Sequence, residues 1–203
     1  MTYLTPKLLE AMEFASTAHK GQFRKFPPNI PYISHLTAVA QILSRAGFNE
    51  EVIIAGLLHD ILEDTKHTAE ELKQRFGDRV LALVLAVTEN KSLSWIERKE
   101  KYLYQLQIAD TEAKAISAAD LLANRLSNLL GLRQGINPWL NFSKTPAVYA
   151  QRIFDIDQRR MEIIRQAGGI PFLEELESVA KEVEDITRTM LSKTGQSEAG
   201  AST

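Results

Sequence analysis

The chain has no cysteine among its 203 residues. Disulfides and thiolate metal sites are thereby excluded, and any metal must be held by imidazole and carboxylate groups. No apolar run approaches the ~20 residues a membrane-spanning helix needs. The opening segment, Met1 to Pro6, lacks the basic stretch and apolar core of a secretory signal. There is no block of lysines or arginines either, and the net charge is −2. That balance argues against a nucleic-acid or membrane-surface binder. Internal repeats and linker-like composition are missing as well. These absences lead us to expect a single cytoplasmic domain. Histidine is scarce, with four in all, so the places where it falls carry weight.

What is present is helical. Thr5-Pro6 reads as a cap followed by proline at the first helical position, and Leu8, Leu9, Met12, Ala15 and Ala18 then mark one apolar face. Residues 21–34 form a loop stiffened by Pro27, Pro28 and Pro31, and a second helix carries His35, Leu36, Val39, Ile42 and Leu43. From about Asn49 to Glu63 a third helix is expected, apolar on nearly every side at its centre and therefore in the middle of the fold. Thr68 to Glu71 and Ser94 to Glu97 are capping boxes that open further helices, with Phe76-Gly77 closing the first of these. A long helix from Thr111 to Leu130, a loop from Gly131 to Ser143, a helix opened by Thr145-Pro146 and a last helix after Pro171 complete the pattern. The expected fold is all-α, one helical bundle over residues 1–191. Ser192 to Thr203, small and polar, is expected to be a disordered tail.

Against this apolar background one stretch stands out: Leu57-Leu58-His59-Asp60-Ile61-Leu62-Glu63-Asp64-Thr65. Charged groups following a buried run need a partner that neutralises them. Read as one continuous helix, it places His59 above Glu63 and Asp60 above Asp64. His35 opens the helix after the proline-stiffened loop, and Asp120 is embedded in Ala118-Ala119-Asp120-Leu121-Leu122. His35, His59, Asp60 and Asp120 thus come from three separate helices as a candidate metal set. Two imidazoles and two carboxylates suit Mn²⁺, Fe²⁺ or Zn²⁺, and ligand type does not choose among them. A bound ion of this kind lowers the pKa of its water and polarises a phosphoryl oxygen.

This pattern resembles the HD-domain metal-dependent phosphohydrolases. Arg24-Lys25, the Pro31 to His35 segment, the Leu57 to Thr65 stretch, Phe76-Gly77-Asp78-Arg79-Val80, Glu97-Arg98-Lys99 and Asp120 with Asn124 narrow the likeness to the hydrolase domain of the RelA/SpoT alarmone enzymes, over about residues 10 to 167. The chain is too short for the synthetase and regulatory domains of the long members, so it is similar to the small stand-alone hydrolases. The resemblance implies an HD-type helical bundle and Mn²⁺-dependent removal of the 3′-pyrophosphate from guanosine tetra- or pentaphosphate. It also implies His35, His59, Asp60 and Asp120 as metal ligands, with Glu63 and Asp64 activating water or moving protons. Arg24 and Lys25 would face the substrate phosphates, Asn124 would contact the nucleoside and Tyr149 would line the same pocket. Lys91, Arg98 and Lys99 could widen a basic pocket, although surface charge is the plainer role for each.

Two departures bear on specificity. The long hydrolases carry a lysine three residues before the metal aspartate and a basic residue just after it, where this chain has Ser117 and Leu121. The loop Phe26-Pro27-Pro28-Asn29 replaces a shorter, glycine-containing one. Both changes fall on the nucleoside wall and leave the base open between guanosine and the adenosine analogue ppApp. Two rivals stand beside this reading: an HD-type nucleotidase or NADPH phosphatase, and a metal-free module that only binds nucleotides or a protein partner.

Overall fold

The computed structural model describes residues 4–199, with side chains to Ser192. In chain order the helices are α1 (Pro6–Ala18), α2 (Ile33–Arg45), α3 (Glu50–Leu58), α4 (Ile61–Asp64), α5 (Ala69–Val87), α6 (Trp95–Ile108), α7 (Thr111–Arg133), a 3₁₀ turn (Pro138–Asn141), α8 (Pro146–Ala167) and α9 (Leu173–Ala199). Among the described residues no strand forms, and the single β-bridge pairs Phe23 with Pro31. No helix among them is long and apolar enough to cross a membrane. α9 overlaps the segment read as a tail, and residues 200–203 lie outside the described residues.

The caps explain most of the starts. Thr5 Oγ1 accepts the Leu8 N–H, Asn49 Oδ1 that of Val52, Thr68 Oγ1 that of Glu71 and Asp110 Oδ1 that of Ala113. Ser94 and Glu97 form the reciprocal box. α8 begins at Pro146 as expected, but Thr145 supplies no side-chain cap. Instead the Thr145 N–H donates to Ser143 Oγ at 3.0 Å. The helix expected to close at Phe76-Gly77 instead runs on to Val87 as part of α5, kinked at Gly77 (φ 90°, ψ 170°). The expected loop 131–143 is shortened by the last turn of α7 and by the 3₁₀ turn.

α7 is the central element and packs against α2, α3, α5, α8 and α9. α3 buries Val52, Ile54, Ala55, Gly56, Leu57 and Leu58, as its all-round apolar centre requires. Each large aliphatic side chain fully removed from water there contributes about 1.5–3 kcal/mol. Two close approaches set the geometry of the site. A Cβ at Gly56 would sit 2.3 Å from Leu43 Cδ1, so α2 and α3 touch there and bring their histidines together. A Cβ at Gly131 would lie 2.0 Å from Phe26 Cζ, so the loop after α1 is pinned onto α7 by the Phe26 ring. A second apolar cluster, with Leu129, Leu132, Trp139, Phe154 and Val183, fixes α8 and the 3₁₀ turn against the end of α7.

Candidate active site

His35 sits in the first turn of α2, His59 and Asp60 lie between α3 and α4, and Asp120 is on α7. Nε2 of His35 lies 3.2 Å from Asp120 Oδ1 and 4.0 Å from Asp60 Oδ2. Nε2 of His59 lies 3.1 Å from Asp60 Oδ2 and 3.7 Å from Asp120 Oδ1. Both imidazoles are only 5% exposed. Ligand atoms of His35, His59 and Asp120 all fall within 4.8 Å of one another, a spacing one ion can bridge.

The helix expected to continue to Glu63 breaks at His59-Asp60, where Asp60 adopts φ −93°, ψ 0°. The reason is local. The carbonyl of Gly56 accepts a hydrogen bond from His59 Nδ1 at 2.8 Å, and a continuous helix would offer that carbonyl to the Asp60 N–H. A carbonyl can only accept, so Nδ1 carries the proton and Nε2 is left to face the carboxylates, the tautomer a metal-binding imidazole needs. Because the helix breaks, the stacking of His59 over Glu63 and Asp60 over Asp64 does not hold as one helical face. α4 is a separate single turn that carries the second acid pair.

The four groups are electrostatically coupled. Burial alone depresses imidazoles, and His35 lies below its ordinary 6.5. At His59 the Asp60 and Asp120 carboxylates overcome burial and hold the imidazole well above 6.5. Burial would raise Asp60, but the His59 charge and hydrogen bond bring it below the usual range. Asp120, likewise buried, is held well down by hydrogen bonds from His35 and His59 and by Arg160. Two acids therefore face two imidazoles, with the Arg160 guanidinium against the outer oxygen of Asp120. The donor set fits a divalent cation. Tyr32 adds a contact that pattern reading did not assign: its hydroxyl donates to Asp60 Oδ2 at 2.5 Å, and burial with the Asp60 charge keeps the phenol protonated.

These groups open into a cavity of about 340 Å³. Glu63 and Asp64 both line it. Oε1 of Glu63 accepts the Glu89 N–H at 2.6 Å, and burial, with the Asp60 and Glu89 charges adding, pushes its carboxyl up to about 7. Asp64 pairs with Lys91. Arg24 lines the cavity and donates to Asn124 Oδ1 at 2.7 Å, while Asn124 donates to Asp120 Oδ1 at 2.7 Å. Tyr149 stacks on Phe142, ring centres 5.8 Å apart and planes at 7°. Lys25 is the outlier. It is exposed, does not line this cavity, and lies 6.0 Å from the Phe142 ring beside a neighbouring one. Lys91, Arg98 and Lys99 do line the cavity, and Arg98 and Lys99 both pair with Glu89. Two cations on one carboxylate leave that wall net positive.

A family model described as "HD domain" matches residues 11–131. The chain belongs to the HD-domain family. Over 120 residues it is 42% identical to the human guanosine-3′,5′-bis(diphosphate) 3′-pyrophosphohydrolase MESH1, an overlap of 58% of this chain and 67% of that one. Over 123 residues it is 39% identical to the Aquifex aeolicus guanosine-3′,5′-bis(diphosphate) 3′-pyrophosphohydrolase, covering 61% of this chain and 17% of that longer protein. A solved structure of a metazoan SpoT ortholog, described as hydrolysing ppGpp, matches with a TM-score of 0.71 at 28% identity, over 93% of this chain and 98% of that one. A Listeria monocytogenes structure matches with a TM-score of 0.65 at 37% identity, over 75% of this chain and 97% of that one.

Within this HD-domain chain α8 forms a wall of the cavity from outside the matched residues. Tyr149, Ile153, Asp157 and Arg160 lie along one side of it and all line the cavity. Asp157 and Arg160 are buried, Asp157 paired with Arg125 and Arg160 with Asp120. Sequence reasoning passed over both. Their signal was faint but present: an acid and a base three apart between Phe154 and Ile164, two apolar residues that the helical period turns inward. Trp139 and Phe142 were missed because the segment holding them reads as a plain loop.

Proposed function

We propose that this HD-domain chain is a Mn²⁺-dependent pyrophosphohydrolase acting on guanosine tetra- or pentaphosphate or on the adenosine counterpart, with the cytoplasm as its place of action. The observation that carries the proposal is the meeting of His35, His59 and Asp120, with Asp60 beside His59, in a cavity that Arg24, Lys91, Arg98 and Lys99 also line. A neutral substrate needs no such lining, whereas a polyphosphate does. The names of the MESH1-type relatives support the same substrate class.

A divalent ion held by those four side chains would supply Lewis-acid polarisation of a phosphoryl oxygen and a water of lowered pKa. The protein's own groups do the rest. Glu63, tuned to about 7, is suited to take a proton from the attacking water at neutral pH. Asp64, paired with Lys91, orients that water. Arg24, held by Asn124, neutralises charge gathering on the pyrophosphate, and Asn124 links that grip to Asp120. The water oxygen bonds to the phosphorus next to the 3′ oxygen. The bond between that phosphorus and the 3′ oxygen breaks, and the 3′ oxygen leaves with a proton from solvent. The products are pyrophosphate and a nucleoside 5′-di- or triphosphate. Such a transfer is mainly positioning and charge stabilisation. Phe142 and Tyr149 offer flat surfaces for the base, and Lys25 acts from the rim as a long-range cation.

The test is a Mn²⁺-supplemented assay of ppGpp, ppApp, deoxynucleoside monophosphates and NADPH side by side. Pyrophosphate release from an alarmone is expected. Turnover only of NADPH or of the monophosphates, with orthophosphate as product, would replace this reading with the nucleotidase or phosphatase one.

A further inference from the structure

Asp120 is gripped at both oxygens. Oδ1 lies 3.2 Å from His35 Nε2 and accepts the Asn124 amide at 2.7 Å. Oδ2 accepts from Arg160 Nη2 at 2.9 Å. Arg160 comes from α8 and is 9% exposed. Its Nε donates to Ser117 Oγ at 2.7 Å, its Nη2 also donates to the Ser117 carbonyl, and its guanidinium lies 5.4 Å from the centre of the Tyr102 ring. The Tyr102 and Ser117 hydroxyls are 2.8 Å apart and complete the cage. Ser117 precedes Asp120 by one turn on the same face of α7, and its short side chain leaves the space that the guanidinium fills.

Three features make this more than packing. Arginine does not lose its proton in a protein, so the charge beside Asp120 is permanent. The guanidinium is a rigid fork, and with Nε and Nη2 both engaged its orientation is set. A buried ion pair of this kind gives little net stability against an apolar pair of equal volume, so its consequence falls on the centre it touches. A carboxylate free at both oxygens can chelate a cation, whereas here a charged donor holds Oδ2 and only Oδ1 lies on the side of His35 and His59.

We propose that Arg160 is a positioning residue that fixes Asp120 as a one-oxygen ligand, presenting Oδ1 to the cation and withholding Oδ2. The proposal rests on the metal-dependent function above. It locates part of the reaction's control in α8, beyond the residues that the family model matches. Holding Asp120 in this way keeps it from occupying a second position on the ion, which substrate or water requires.

The experiment measures Mn²⁺ affinity by calorimetry, kcat and KM for the turned-over alarmone, and Tm, in wild type, Arg160→Met and Arg160→Lys. For Arg160→Met, kcat is expected to fall about 10- to 100-fold, the usual range for partners of metal ligands. KM should stay within about threefold, and Mn²⁺ should bind as tightly as in wild type or more tightly, because Oδ2 is released and a like charge removed. Arg160→Lys, which keeps the charge and one donor, should recover most of kcat. Should Arg160→Met fail to fold, Arg160→Gln is judged by the same criteria. The proposal is overturned if kcat stays within twofold of wild type. It is equally overturned by a tenfold rise in KM, which would make Arg160 a substrate ligand, or by Mn²⁺ affinity falling in step with Tm, which would make it structural. A wild-type protein that takes up no Mn²⁺ removes the proposed function and this inference with it. A wild type that binds Mn²⁺, together with an Arg160→Met protein that keeps the wild-type kcat, removes this inference alone.

Discussion

Replacing Glu63 by glutamine should change how stability depends on pH, by an amount the structure sets. The Glu63 side chain is 11% exposed and accepts the Glu89 N–H. Burial, as the largest influence, lifts its carboxyl from 4.5 to about 7. A raised carboxyl pKa means the folded protein holds its proton more tightly than the unfolded chain. Glu63 therefore contributes its full stability below pH 4.5 and loses it as pH climbs through 7. At about 1.4 kcal/mol for each pH unit between the two values, the loss sums to about 3 kcal/mol. Glutamine keeps the acceptor for Glu89 but cannot ionise. The stability of Glu63→Gln relative to wild type should thus rise by about 3 kcal/mol from pH 4.5 to pH 8, measured by urea unfolding in the presence of a chelator. A difference that stays flat across that range would refute the reasoning, because it would mean the carboxyl is not buried as described.

Three other outcomes follow from the same geometry. Asp60→Ala should abolish Mn²⁺ uptake and turnover while circular dichroism keeps its helical signal, since Asp60 lies between helices and not within one. Asp157→Ala should cost about 3–5 kcal/mol in denaturant unfolding, because it strands the buried Arg125 charge without its partner. Gly131→Ala should push the Phe26 ring off α7, lowering stability by about 1–3 kcal/mol and raising KM through displacement of Arg24. A KM equal to wild type would separate the loop from substrate binding.

Much of this was legible in the sequence, and the reason is physical. Helical period and caps are local properties, and charged residues set in apolar runs announce that something must neutralise them. His35, His59-Asp60 and Asp120 were visible on those grounds, and ligand atoms of His35, His59 and Asp120 lie within 4.8 Å of one another, with Asp60 beside His59. The break at Asp60 was not legible. It depends on the His59 ring turning back to the Gly56 carbonyl, a side-chain choice that periodicity does not encode. Arg160 and Asp157 escaped notice for a related reason. Each reads as an ordinary helix charge until α8 is folded against α7, and their partners lie 40 and 32 residues earlier. The placement of Lys25 was not legible either: it is absent from the lining of the main cavity but lines the neighbouring one together with Arg24, a division that the adjacent basic pair does not announce.

The central claim is that four side chains from distant parts of the chain grip one divalent ion. Anomalous diffraction from crystals grown with Mn²⁺ tests it directly. A single peak within bonding distance of His35, His59, Asp60 and Asp120 is the result the account predicts. A peak elsewhere, or none at saturating Mn²⁺, would contradict it.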